Sequence, residues 1–236
     1  MIVIESKRKK IETIAREYPG AVVIDVTSNS TDREFVKFSP FYPHYGIPVP
    51  GMPAITAACV EGVWQGLKTF AGEGISYETL RNGTMKNLKR TVRTHGRCLG
   101  HKYGDKIIDY IEARKQIYVP TYNWVLQNKL GPLVSKIADL SSRGTVALLD
   151  YETNGNVDDA SKPLSHASLI KAYIESQPEK TQAPAPVYEK GMKVRHFKFG
   201  EGEVVSCDPA AQRVVVAFSD GVKTLSTVIA KLEILK

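Results

Sequence analysis

Within Ala57–Phe70, AACVEGVWQGLKTF, a carboxylate, a carboxamide and an ammonium recur as Glu61, Gln65 and Lys68, with Trp64 beside them. Read as one helix, those three share a face, and Cys59, Val60, Val63, Leu67 and Phe70 share the other. An acid, an amide, an amine and an indole on one face could read a small polar ligand carrying a flat ring. The alternative is a solvated face with a Glu–Lys pair and a half-buried Trp. A second concentration follows the apolar run Thr145–Leu149: Asp150, then Asn154, Asp158 and Asp159 in a polar loop, then Ser165 and His166. Strand ends are where α/β folds place chemistry. The alternative here is a solvated turn with Ser165 or Asp159 as a helix cap.

Two further stretches could serve a ligand. From Thr79 to Gly104 stand Arg81, Lys86, Lys89, Arg90, Arg93, Arg97 and Lys102, with no Asp or Glu among them. Gly96–Gly104, GRCLGHKYG, reads as a Gly-rich basic loop in which Arg97 or Lys102 could clamp an anion, or as a plain surface turn. Upstream, four prolines stiffen YPHYGIPVPGMP (Tyr42–Pro53) into a candidate pocket wall. Phe41, Tyr42 and Tyr45 there are candidates to stack on a ring, or simply to pack the loop.

The elements that must hold these residues read as follows. Met1–Ile4 and Ala21–Ser28 are strands; Glu5–Tyr18 is a basic amphipathic helix with Ile11, Ile14 and Ala15 inward. Phe35–Phe41 alternates weakly, as a further strand would. Ser76–Leu80 is a turn or helix start, and Thr84–His95 a basic helix. Asp105–Ile117 and Val119–Asn128 are helices broken near Pro120, followed by Gly131–Leu140 and Pro163–Ile174. The expected fold is therefore α+β and mainly helical over residues 1–176. A Pro/Ala-rich linker at 177–187 leads to a small all-β barrel at 188–236, where β-branched runs alternate with GEG, DPAAQ and SDG turns.

The 236 residues carry 42% hydrophobic and 24% charged side chains and a net charge of +7. That is a globular composition, and its basic excess suits phosphate-bearing partners. No apolar run is long enough to span a membrane, so no membrane partner is expected. The N-terminus turns basic after four residues and lacks a secretion-signal pattern. Cys59, Cys98 and Cys207 form no CxxC pair, which suits a reducing cytoplasm and argues against a zinc site. No GxSxG, Walker A or HExxH pattern occurs, and DYETNGNVDD lacks the alternation of a calcium loop, so no metal and no cofactor are expected.

Three resemblances add to this. The segments FSPFYPHYGIPVPG, CVEGVWQGLKTF, LKRTVRTHGRCLGH, DYIEARKQIYVPTYNWVL and LLDYETNGNVDDASKPLSHA look like a family of uncharacterised proteins from tailed phages and bacteria. More remotely, residues 1–175 resemble the NADAR superfamily of YbiA-like proteins. Phe38-Ser39-Pro40-Phe41 matches its aromatic-rich element, Glu61, Trp64, Gln65 and Lys68 its helix, and Gly96-Arg97 its Gly-Arg pair. Leu149-Asp150-Tyr151 with Asn154 and Asp158 or Asp159 matches its carboxylate-bearing loop. The chain departs from that pattern at Gly62, where His is common, and at Leu164-Ser165-His166, where a Gly-Lys-Asn-like turn is usual. Residues 189–235 resemble the tudor-like barrel at the C-terminus of UvrD/PcrA-type helicases, through Gly191, Val194, His196, Phe199-Gly200, Gly202, Val204, Phe218 and Gly221-Val222-Lys223.

The NADAR-like resemblance implies hydrolysis of an N-glycosidic bond in an ADP-ribosyl or related nucleotide-like compound, with ADP-ribose or an NAD-like ligand as substrate, free or on a macromolecule. Glu61, Lys68, Asp150 and Asp159 are then the catalytic candidates. Phe41, Tyr42, Trp64, Gln65, Arg90, Arg93, Arg97, Asn154 and His166 are the substrate-binding ones. The alternative expectation is a non-catalytic binder whose basic 79–104 surface meets nucleic acid. Under either, the tudor-like resemblance implies docking of residues 188–236 on RNA polymerase or nucleic acid. The compartment expected is the cytoplasm, that of the host if the chain is phage-encoded.

Overall fold

The computed structural model describes residues 1–177, 188–208, 213–227 and 232–235. It divides the chain into two compact units, Met1–Ser176 and Gln177–Lys236. The expected linker at 177–187 lies, beyond Gln177, outside the described residues.

In chain order the first unit comprises β1 (Ile2–Ser6), α1 (Ile11–Glu17), β2 (Val22–Asp25), a 3-10 turn (Phe35–Phe38), β3 (Ile47–Val49), β4 (Met52–Ala57), α2 (Val60–Gly66), β5 (Lys68–Phe70), α3 (Tyr77–Arg81) and α4 (Val92–His95). There follow β6 (Cys98–Tyr103), β7 (Lys106–Ile108), α5 (Tyr110–Ala113), a π-helical turn (Arg114–Tyr118), α6 (Val119–Asn128), α7 (Gly131–Arg143), β8 (Val146–Asp150) and α8 (His166–Ser176).

A three-stranded parallel sheet in the order β1-β8-β2 sets the frame. Its central strand, VALLD, is buried at every position, as a strand flanked on both edges and covered on both faces must be. Side chains alternate: Val146 and Leu148 enter the main core with Ile2, Ile24, α6 and α8 residues, while Ala147 and Leu149 meet Ile14 of α1. The carboxyl ends of all three strands lie together, since Ser6 pairs with Asp150 and Asp25 with Leu149.

The domain is not mainly helical, as the sequence reading expected. The whole chain is mixed α/β, with 32% helix and 29% strand. The difference arises where short segments pair instead of coiling. The helix expected over Ala57–Phe70 spans only Val60–Gly66; the Gly66 carbonyl accepts from the Ser76 N–H, and a Cβ at Gly66 would stand 2.8 Å from the Leu80 side chain. The chain then turns into β5, whose Lys68 pairs with His101 of β6. Gly96–Gly104, read as a loop, supplies β6, the middle strand of the β5-β6-β7 sheet. Thr84–His95 is helical only over Val92–His95, and Met85 and Asn87 adopt positive φ. Phe35–Phe38 is a 3-10 turn instead of a strand. Part of the proline-rich stretch pairs as the β3–β4 hairpin. Asp105–Ile117 is not one helix: its first residues form β7. Pro120 does not break the next one; it sits in the first turn of α6, where its missing N–H costs nothing, and the π turn runs directly into it. In α1 only Ile14 is buried.

The second unit is a sheet of five antiparallel strands, β9 (Lys193–His196), β10 (Gly200–Asp208), β11 (Arg213–Phe218), β12 (Gly221–Ser226) and β13 (Glu233–Ile234), in the order β12-β11-β10-β9-β13. Val194, Val204, Val214, Val216, Phe218 and Tyr188 make its core. Gly202 is required at a close strand crossing, where a Cβ would stand 2.6 Å from the Ala217 carbonyl oxygen.

Candidate functional site

The carboxyl ends of the parallel strands open into a cavity of about 530 Å³ in the first unit. α2 brings Glu61, Trp64 and Gln65 to it, β5 brings Lys68, and the segment before α4 brings Lys89. The strand ends bring Arg8, Thr27, Ser28, Asp150, Tyr151 and Glu152; the π turn and α5 bring Tyr110, Arg114 and Tyr118; α8 brings His166. Phe41 stands on the opposite lip. Its FSPF segment is held from both sides, by the Tyr122 hydroxyl donating to the Phe38 carbonyl (2.6 Å) and the Glu61 N–H donating to the Pro40 carbonyl (2.8 Å).

α2 starts where it does because Cys59 caps it, its sulfur accepting from the Gly62 N–H. Glu61 in that first turn is 8% exposed. Gln65 Nε2 donates to Glu61 Oε1 at 2.8 Å, while Oε2 accepts no hydrogen bond among the described residues. Burial pushes the Glu61 carboxyl above its ordinary value, against the Gln65 hydrogen bond and the charges of Lys68, Lys89 and His166. Burial likewise draws the Lys68 ammonium down, partly offset by Glu61. Lys68 forms no ion pair within 4.0 Å among the described residues, so an unsatisfied donor faces the cavity.

The floor is built differently. Asp150 Oδ2 accepts from Ser165 Oγ (2.8 Å), His166 Nδ1 (2.9 Å) and the Ala167 N–H (3.2 Å), and Oδ1 accepts from the Tyr151 N–H (2.7 Å). His166 Nε2 meets the Val26 carbonyl at 2.9 Å. An imidazole between a carboxylate and a carbonyl must donate from both nitrogens, so His166 is a cation. Burial alone would lower its pKa; the Asp150 charge and hydrogen bond outweigh that and raise it. For Asp150 burial is likewise the largest influence, but His166, Ser165 and Ala167 together hold it below its usual range. This pair joins β8 to the end of β2 and spends the lone pairs of Asp150 on structure.

The aromatic wall centres on Trp64, with Tyr110 and Tyr118 edge-on at 5.6 and 5.5 Å between centroids and His101 behind at 4.0 Å. Tyr110, Arg114 and Tyr118 all reach the cavity across the π turn, a distortion common at functional sites. The Arg114 guanidinium, 1% exposed, donates to the carbonyls of Val157, Asp159 and Lys162 and to the Tyr110 hydroxyl. It thereby holds the 151–163 loop against the wall.

Of the sequence candidates, the structure gathers Glu61, Lys68, Asp150, Phe41, Trp64, Gln65 and His166 around one cavity. It leaves the others outside. The Asp159 carboxylate accepts from Ser161 within its own loop, and Asn154 Nδ2 donates to the Asp159 and Lys162 carbonyls. Tyr42 packs on His44 at 5.0 Å. Arg93 and Arg97 are exposed away from the cavity. Arg90 is buried behind Gln65, bonded to the Lys68 and Gly74 carbonyls and to Glu73. Sequence reasoning missed Arg8, Tyr110, Arg114, Tyr118, Tyr151 and Glu152 as site residues. The i, i+4, i+8 spacing of Tyr110, Arg114 and Tyr118, which a helix keeps on one face, was the available signal, but the expected helix ended at Ile117 and left Tyr118 out. Among the described residues no three His, Cys, Asp or Glu converge as metal ligands, and no helix is long and apolar enough to cross a membrane.

A family profile described as a family of unknown function (DUF6939) matches residues 6–170, which span both walls of the cavity. No curated protein matches the chain.

Proposed function

The chain belongs to the family of unknown function DUF6939, and we propose that its cavity hydrolyses an N-glycosidic bond in a nucleotide-like substrate, an ADP-ribosyl compound being the class foreseen. The observation that carries this reading is the meeting of Glu61, Lys68 and Trp64 with the Asp150–His166 pair in one cavity, from chain segments about a hundred residues apart. Trp64, with Tyr110 and Tyr118 at its edges, offers a face to a flat base. Lys68, Lys89 and Arg8 offer unlike-charged partners to phosphate.

In this reading the C1′–N bond breaks with its electron pair going to the base. Glu61 Oε2 faces the positive charge that develops at C1′. Water adds its oxygen to C1′ and gives a proton to Glu61; in a nucleoside monophosphate that proton passes on to the departing base, whereas NAD releases neutral nicotinamide and the proton goes to solvent. Asp150 stays out of the proton transfer, because it is held ionised as the counter-ion of His166; the two act as a fixed floor. Three free cysteines, Cys59, Cys98 and Cys207, agree with a cytoplasmic setting for the reaction.

The test is release of base from NAD and from nucleoside 5′-monophosphates by the purified full chain, followed by chromatography. Wild type should release base, and Glu61→Gln should lose at least about a hundredfold. Equal release by both, or none by wild type, defeats the reading. ADP-ribose should also raise the melting midpoint of wild type.

A second reading rests on Arg81, Lys86, Arg93 and Arg97, which are exposed and form no ion pair among the described residues. They suit contact with nucleic-acid phosphates, and binding should then fall steeply with salt.

A further inference from the structure

We infer that Arg90 is a positioning residue, which through Gln65 and the Lys68 carbonyl sets the orientation in which Glu61 and Lys68 meet the cavity. The inference rests on the glycosidase reading above for its catalytic meaning, though its geometry stands apart from it.

Gln65 has the composition of a ligand-reading side chain, yet both ends of its amide are taken. Its Oε1 accepts from the Arg90 backbone N–H at 3.0 Å, and its Nε2 donates to Glu61 Oε1 at 2.8 Å. An amide can be flipped by 180° at little intrinsic cost. The Arg90 N–H forbids the flip here, because the flipped amide would set donor against donor. Gln65 therefore always offers Glu61 a donor, ties down Oε1 and leaves Oε2 to the cavity.

The guanidinium of Arg90 acts on the second group. Nη1 donates to the Lys68 carbonyl at 2.6 Å and to the Gln65 carbonyl at 3.4 Å, across the point where α2 gives way to β5. Nη2 donates to Glu73 at 3.1 Å and to the Gly74 carbonyl at 3.0 Å. The plane lies 4.8 Å over the Phe70 ring. One buried side chain thus spans both ends of β5 and fixes the strand that carries Lys68. No carboxylate on the cavity side competes for it.

Glu61 is faced by Cys59 and Gln65 of its own helix, Lys68 of β5, Lys89, His166 of α8 and Tyr118 of the π turn. Of these, Gln65 answers to Arg90 through the Arg90 backbone N–H and Lys68 through the guanidinium, so a change at Gln65 isolates the first relay and a change of the Arg90 side chain the second.

The experiment uses the full chain with Gln65→Met, which keeps length, and Arg90→Lys, which keeps charge and loses the fork. Carbon-detected NMR follows the Glu61 carboxyl through pH, and NAD serves as the kinetic probe. Gln65→Met should titrate Glu61 at higher pH than wild type, because it loses the Nε2 donor, whereas Arg90→Lys keeps the backbone N–H that holds Gln65. Both should lower kcat about tenfold with KM changed less than about twofold, the signature of lost orientation. An unchanged Glu61 titration in Gln65→Met overturns the inference, as does a raised KM with kcat intact in Arg90→Lys, which would make Arg90 a ligand contact. If Arg90→Lys does not fold, exchange of the Arg90 amide proton decides instead. It should be slow in wild type and fast in Gln65→Met, and equal rates overturn the inference. Should wild type leave NAD and nucleotides uncleaved, the glycosidase reading falls while the titration still decides the positioning role.

Discussion

Two walls of one cavity treat a buried carboxylate in opposite ways. On the α2 wall Glu61 has one donor and a free oxygen, and burial drives its pKa up. On the floor Asp150 has four donors and a cationic neighbour, and its pKa falls despite burial of similar depth. Burial is the largest influence on both acids; the charge and hydrogen bond of His166, with Ser165 and Ala167, bring Asp150 down, whereas the Gln65 donor and the charges of Lys68, Lys89 and His166 do not bring Glu61 down. Asp150 is tied to its counter-ion, while Glu61 keeps one carboxylate oxygen without a donor among the described residues.

The largest test of that contrast is stability. Asp150→Asn leaves His166 as a buried cation without its anion and should cost about 3–5 kcal/mol in urea unfolding. Glu61→Gln should change stability by no more than about 1 kcal/mol, because it removes a charge that burial disfavours. Comparable losses for both would break the distinction. The same pair limits stability on both sides of neutrality. His166, raised, contributes fully below its unfolded value near 6.5 and loses that contribution as pH climbs through its folded pKa. Asp150, lowered, contributes above its unfolded value and loses that as pH falls through its own.

His101 sharpens the comparison from behind the Trp64 wall. Burial first, and the Lys68 charge second, hold it down to about 3, opposed only by the Trp64 backbone, and neither ring nitrogen makes a well-formed hydrogen bond among the described residues. The unfolded chain therefore binds the extra proton between about pH 3 and 6.5, and stability rises with pH across that window. The expected loss at pH 4 relative to neutrality is on the order of 3 kcal/mol. His101→Phe should flatten the slope of unfolding free energy against pH there; an unaltered slope would assign the acid sensitivity elsewhere.

Smaller again is Arg114→Met, which strands the Val157 carbonyl and leaves those of Asp159 and Lys162 to Asn154 alone. It should cost about 2 kcal/mol and expose the 151–163 loop to protease sooner than the rest of the unit. The smallest expected effect lies in the second unit. Phe197 is 88% exposed, so Phe197→Ser should shift unfolding by less than about 0.5 kcal/mol. A larger loss would mean that this ring is covered in solution.

Much of this architecture could be read from residue order alone. The continuous apolar run Thr145–Leu149 announced a buried strand, and β-branched runs between GEG, DPAAQ and SDG turns announced the strands of the second unit. Strong local periodicity survives folding. Short segments did not read correctly: Lys68–Phe70 and Cys98–Tyr103 became strands only because each found the other, and a three-residue strand has no period of its own. The proportion of helix was overestimated for the same reason.

The inventory of the cavity was likewise partly legible. Glu61, Trp64, Lys68, Asp150 and His166 stood out by type and spacing, before any fold was known. Residue order also supplied the acids, the amine and the indole that line this cavity. Which of those groups remained free was decided only by tertiary structure. The donors that saturate Asp150 come from Ser165, His166 and Ala167 across a loop, and the acceptor that makes His166 a cation comes from Val26, 140 positions away. The N–H that turns Gln65 from a ligand reader into an orienting amide belongs to Arg90, 25 positions on. A hydrogen-bond valence is filled by whatever folding brings within about 3 Å, and no local pattern encodes that neighbour.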